Sequence, residues 1–122
     1  MGEPGGPDAA AGVGRLTVGE RLDIEVDPAA PVGTIVRTEL EGIAFAVVRH
    51  AEGWAMFEDR CPHARCAFTA DGEVVDGTTL SCRCHGSEFD LRSGAVLLGP
   101  AARGLEVVTL RATADGAELT ID

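Results

Sequence analysis

Residues 60–66 read RCPHARC, and residues 82–90 read CRCHGSEFD. Together they hold all four cysteines and two of the three histidines of a 122-residue chain. Cys61, His63, Cys66, Cys82, Cys84 and His85 are six ligand-grade side chains, and a tetrahedral metal takes four. Two sub-patterns stand out, C-x-H at 61–63 and C-x-x-H at 82–85. A zinc ribbon pairs its ligands in C-x-x-C knuckles. This chain has none, because its cysteine pairs are C-x4-C and C-x-C. Zinc can be forced onto the set, but it leaves two ligands idle. A binuclear iron–sulfur centre accounts for the set better, with two cysteines on one iron and two histidines on the other. Each stretch then supplies one residue of each kind.

Outward from these stretches the pattern is short apolar runs broken by turn residues. RLDIEVD at 21–27 alternates with period two, and GTIVRTEL (33–40), IAFAVVRH (43–50) and GWAMFED (53–59) follow. Later come GEVVDG (72–77), TTLSC (78–82), SEFDL (87–91), the strand-sized run AVLLGPAA (95–102), LEVVTLRA (105–112) and AELTID (117–122). EG at 41–42 and 52–53, DG at 71–72, 76–77 and 115–116, and SG at 93–94 mark turns. Many short strands with regular turns predict an all-β fold, an antiparallel barrel or sandwich. No segment sustains a 3.6-residue period, so little helix is expected. Each Cys/His stretch falls between strands and is expected as a loop at the end of a hairpin. Two such loops on a rigid scaffold make a clamp for a metal centre. Trp54, Met56 and Phe57 read as core, and His50 as a surface or turn histidine. Gly86, Gly94 and Gly99 read as backbone devices.

The length suits one domain, and 45% hydrophobic residues is a globular composition. The first 13 residues are mostly Gly, Pro and Ala and are expected to be a flexible tail, with a single domain over 14–122. No apolar run approaches the roughly 20 residues of a membrane span. The N-terminus lacks the basic and apolar regions of a signal peptide, so a soluble, cytoplasmic protein is expected. A net charge of −10 argues against nucleic acid and anionic membranes as partners. Against that background Arg60, Arg65 and Arg83 put local positive charge in or beside the two stretches.

At this point the sequence resembles the Rieske family. CPH at 61–63 and CRCH at 82–85 match its two ligand boxes, eighteen residues apart, and GSEFDLRSGAVLLGPA at 86–101 resembles the strand and proline loop that follow. The resemblance implies a Rieske-type barrel with a small cluster-binding subdomain of two loops, within about residues 58–101. It implies one [2Fe-2S] cluster, with Cys61 and Cys82 on the inner iron and His63 and His85 on the outer, exposed one. Cys66 and Cys84 fall where one subset of the family, similar to subunits of cytochrome bc-type complexes, has a disulfide joining the loops. Ser87 matches a hydroxyl that donates to a bridging sulfide and raises the potential. Phe89 replaces a tyrosine of the high-potential members and loses its donor. Arg65 and Arg83 favour reduction by their charge, and Pro100 shields the cluster.

The function so implied is one-electron transfer rather than catalysis, as a soluble ferredoxin between a reductase and an oxygenase or similar acceptor. The alternative is a subunit or domain of a quinol- or arsenite-oxidising complex, handing electrons to a cytochrome. A structural or regulatory β domain that kept the motif is the alternative of another class.

Overall fold

A computed structural model describes residues 19–27, 29–62, 66–113 and 118–121. The expected tail at 1–13, His63, Arg65 and the turn at 115–116 lie outside the described residues. The elements are β1 (Arg21–Glu25), β2 (Ile35–Leu40), β3 (Ile43–His50), β4 (Gly53–Glu58), a one-turn helix α1 (Phe68–Asp71), β5 (Gly72–Val75), β6 (Thr79–Cys82), β7 (Glu88–Asp90), β8 (Val96–Leu98), β9 (Val108–Ala112) and β10 (Glu118–Ile121). Every strand lies within an apolar run of the sequence. The β2–β3 hairpin shows why. Ile35↔Val48 through Leu40↔Ile43 pair in unbroken antiparallel register. Glu41 and Gly42 turn the chain at φ +54° and +84°, the double positive φ that a two-residue hairpin turn requires.

The strands form two antiparallel sheets, a six-stranded one in the order β1-β10-β9-β4-β3-β2 and a four-stranded one in the order β5-β6-β7-β8. Two cores follow from the alternation along β3 and β4. Phe45, Val47, Trp54 and Met56 face Leu22, Ile24, Leu110, Leu119 and Ile121, all from the six-stranded sheet. A core drawn from one sheet requires that sheet to curl upon itself. Ala46, Val48, Ala55 and Phe57 face the other way, onto Phe68, Leu80, Phe89 and Leu91 of the small sheet and its flanks. Cys61 and Cys82 belong to this second core.

Three local expectations need correction. The first Cys/His stretch does not end a hairpin. β4 pairs with β3 and β9, while β5 pairs with β6, so residues 59–67 cross from one sheet to the other. Period-two patterning identifies a strand but not its partner, which is why the crossover was not visible. The second stretch does sit in a hairpin, between β6 and β7. At 71–72, where a turn was expected, helix α1 runs directly into β5, and the glycine serves close approach. Gly72 has φ −88°, and a Cβ there would lie 2.6 Å from the Phe68 carbonyl oxygen. His50 ends strand β3, beside the turn rather than in it, and it is buried. Its Nδ1 accepts the Glu52 N–H at 3.2 Å.

Candidate metal centre

The two ligand stretches meet at one end of the shared core. Cys61 and Cys82 are free thiols, each at most 2% exposed, in the same core cluster. Burial pushes the Cys82 thiol up, and Cys61 beside it adds to the rise against the lowering by the Cys84 and His85 backbone N–H groups. Each cysteine is fixed through its backbone. The Cys61 N–H donates to the Cys66 carbonyl at 2.9 Å, and the Cys82 N–H to the Ser87 carbonyl at 2.8 Å. The Gly86 N–H closes the second loop on the Cys82 carbonyl at 2.7 Å. Gly86 is at φ +86°, which a side chain resists.

Cys66 and Cys84 are joined by a disulfide with Cα atoms 6.4 Å apart, so the crossover and the hairpin are covalently tied. Arg83, Cys84, His85 and Gly86 are all exposed. The buried thiols therefore lie inside the tip and the His85 imidazole outside it. Arg83 does not simply offer its charge to the tip. Its guanidinium donates to the Ala70 and Asp71 carbonyls at 3.3 and 3.4 Å, at the end of helix α1, where the Arg83 backbone N–H also reaches the Asp71 carbonyl.

Two neighbours of the loops carry weight. Ser87 is fully buried, and its Oγ accepts the Ala101 N–H at 3.0 Å. The proline loop 99–101 is thus pinned to the second ligand loop, and the Ser87 O–H is left to donate elsewhere. Phe89 is fully buried. It stacks edge-on against Phe68 (centroids 5.9 Å apart), which stacks edge-on against Phe57 at 5.3 Å. These three rings come from β7, α1 and β4, so one aromatic chain backs both loops.

Asp59 is the residue that sequence reasoning missed. Its side chain has no exposure. It accepts the Thr69 N–H at 2.9 Å, the Thr69 O–H at 2.6 Å and an Arg37 N–H at 2.9 Å. Its own N–H donates to the Ala44 carbonyl. Asp59 therefore closes the crossover at its base and fastens it to β2 and β3. In the sequence it is one of twenty acidic residues, and only its place two residues before Cys61 could have marked it.

Two thiols buried in one core are costly as thiolates unless a cation lies between them. Together with an imidazole at the same tip they fit a mixed sulfur and nitrogen donor set. The model of the Rieske [2Fe-2S] domain matches residues 23–109, which span both ligand stretches. The chain belongs to the Rieske [2Fe-2S] domain family. Its cofactor is a Rieske-type [2Fe-2S] cluster.

Among curated proteins, the Rieske chain is 39% identical over 62 residues to the human putative cytochrome b-c1 complex subunit Rieske-like protein 1. It has the same identity to the mitochondrial cytochrome b-c1 complex subunit Rieske of Gorilla gorilla gorilla. These matches cover 51% of this chain and only 21% and 22% of those proteins. Among solved structures, the fold is similar to the Sphingomonas yanoikuyae B1 ferredoxin (TM-score 0.69, 26% identity, 84% of this chain and 98% of that one). It is also similar to the ferredoxin of carbazole 1,9a-dioxygenase from Nocardioides aromaticivorans IC177 (TM-score 0.67, 22% identity, 86% and 97%). A third similar chain comes from a complex of reduced oxygenase and oxidized ferredoxin in carbazole 1,9a-dioxygenase (TM-score 0.70, 24% identity, 83% and 92%). Among the described residues no helix is long and apolar enough to cross a membrane.

Proposed function

We propose that this Rieske protein is a one-electron carrier, a ferredoxin component that takes electrons from a reductase and delivers them to an oxygenase or similar enzyme in the cytoplasm. Cys61 and Cys82 hold the cluster from the buried side, and His63 and His85 from the exposed side. When bound, such a cluster supplies one reversible electron at a potential between roughly −150 and +300 mV. The chain's own residues do the rest. The disulfide and Asp59 hold the loops, Ser87 pins the proline loop, and His85 gives a partner an edge to approach.

The observation that carries this reading is the pairing of two buried thiols with an exposed imidazole at one tip of the molecule. Residues 60–104 carry five arginines and five acids, so the whole net charge of −10 falls on the rest of the chain. Around the tip, residues 97–100 (Leu-Leu-Gly-Pro) are exposed and uncharged. Similarity to ferredoxins along nearly their whole length supports the carrier role.

Low-temperature electron paramagnetic resonance of the reduced protein tests the ligand assignment. The expected spectrum has the low average g of mixed histidine and cysteine ligation. An average g at the four-cysteine ferredoxin value overturns it. A second reading, a Rieske subunit or domain of a quinol- or arsenite-oxidising complex, is favoured by the Cys66–Cys84 disulfide and by the cytochrome b-c1 relatives. A strongly positive midpoint potential selects that second reading.

A further inference from the structure

Four ligands for the cluster leave Cys66 and Cys84 without a part in it. Their sulfurs and a ring nitrogen of His85 all lie within 4.8 Å of one another. Two thiolates and an imidazole on zinc sit about 3.5–3.8 Å apart, as Zn–S near 2.3 Å and Zn–N near 2.0 Å at a tetrahedral angle require. The disulfide is what keeps the two sulfurs from acting as ligands. Reduction breaks the S–S bond. Two electrons and two protons go to the sulfurs, and the reductant, a thiol pair or a phosphine, is oxidised in turn. Zinc then displaces the two thiol protons.

The surroundings admit an ion. Cys84 and His85 are exposed, and Cys66 is half-buried. The Arg83 guanidinium is drawn off to the Ala70 and Asp71 carbonyls. Water completes an open site of two cysteines and one histidine, a known zinc arrangement. In a reducing compartment such disulfides are seldom kept, so the ligands on offer rise from four to six.

We propose that Cys66, Cys84 and His85 form a zinc site that opens when the Cys66–Cys84 disulfide is reduced and competes with the iron–sulfur cluster for His85. The disulfide thereby reserves His85 for iron. The competition rests on the reading of His85 as a cluster ligand; the zinc site does not.

The test uses the full chain carrying Cys61→Ser and Cys82→Ser, which cannot hold the cluster through sulfur. Zinc is titrated into the disulfide form and into the phosphine-reduced form. The expected result is one zinc per reduced chain, bound at least about a hundredfold more tightly than by the disulfide form. Adding His85→Ala weakens it at least about tenfold. Equal affinity in both redox states, or indifference to His85→Ala, overturns the site. Should the double variant fail to fold by circular dichroism, the wild-type holoprotein decides. There zinc hastens loss of cluster absorbance only after phosphine reduction, and not in the Cys66→Ser/Cys84→Ser protein. Equal loss in that variant overturns the site. Zinc bound by the cluster-free chain but without effect on the reduced holoprotein overturns the competition and leaves the ligand assignment to its own spectroscopic test.

Discussion

Thr69→Val removes one O–H from the base of the first ligand loop and changes almost no volume. In the wild type that O–H donates to the Asp59 carboxylate at 2.6 Å, beside the Thr69 N–H and Arg37. A hydrogen bond to a charged acceptor contributes about 1.5–3 kcal/mol. The carboxylate keeps two donors, so the lower end applies, about 1.5–2 kcal/mol. Asp59→Ala strips the whole junction. It leaves the Thr69 N–H and O–H without their acceptor in a part-buried place, and we expect about 3–4 kcal/mol. The Arg37 pair adds little to that figure, because the Arg37 side chain is 51% exposed and its charge is screened by water. Asp59→Asn falls between, since its Oδ1 still accepts the Thr69 N–H. For a domain near 100 residues each kcal/mol lowers Tm by about 4–8 °C. Differential scanning calorimetry measures that order, and transfer of iron to a chelator measures how well the loop holds its ligand. Asp59→Ala should lose the cluster fastest, Asp59→Asn and Thr69→Val less fast, and a Thr69→Ser protein should keep it nearly as the wild type does. A Thr69→Val protein that melts within about 1 °C of wild type and holds its iron equally long refutes the reasoning.

Three further outcomes follow from single contacts. Ser87→Ala leaves the buried Ala101 N–H without its acceptor. It should cost about 1–3 kcal/mol and lower the midpoint potential in spectroelectrochemistry, both from the loss of one oxygen. Burial holds the His50 imidazole below its usual range, with Arg49 and Arg92 pushing the same way and Glu52 and Asp90 opposing. The folded value lies below the unfolded one, so the unfolded chain takes the proton first. Stability is therefore full above about pH 6.5 and falls as the pH drops below it. His50→Asn keeps an acceptor for the Glu52 N–H, does not titrate, and should flatten that fall in denaturant titrations at successive pH values. Gly94→Ala puts a Cβ at φ +83° against the Leu105 carbonyl. It should cost about 2 kcal/mol or more and loosen the segment that carries the proline loop, read as a lower Tm in calorimetry.

The strands were legible because each is an apolar run that ends at a turn residue, and β3 matches its run, 43–50, at both ends. What joins them was less so. GWAMFED reads as one strand, yet its two faces serve two different cores, Trp54 and Met56 in one and Ala55 and Phe57 in the other. A period of two shows which side chains share a face; it does not say what covers the face. The ligand boxes were legible because cysteine and histidine at fixed spacing are rare. The disulfide was legible only through a family resemblance, since four cysteines allow three pairings. Asp59, Thr69 and Phe68 were not legible at all. A buried carboxylate looks like a solvated one until its partners, ten and twenty-two residues away, are brought to it.

The features that point to different kinds of Rieske protein occupy different parts of the molecule. Structural similarity to ferredoxins extends over most of the fold, and the sequence match to cytochrome b-c1 subunits spans 62 residues. The disulfide acts on the tip, where it ties the crossover to the β6–β7 hairpin. It fixes the loops but donates no hydrogen bond to a cluster sulfur. The donors are set at the start of β7 instead. There Ser87 has its oxygen engaged by Ala101 and its O–H still to give, while Phe89 offers a ring edge to Phe68 and no proton. Beyond the histidine ligation itself, hydrogen bonds to the sulfurs raise the potential of such a centre further. A chain with one of the two hydroxyl donors should therefore have a midpoint between those of the ferredoxin and respiratory kinds. The disulfide, for all its kinship with the respiratory kind, bears on which metal the tip accepts and how firmly, and much less on the potential it sets.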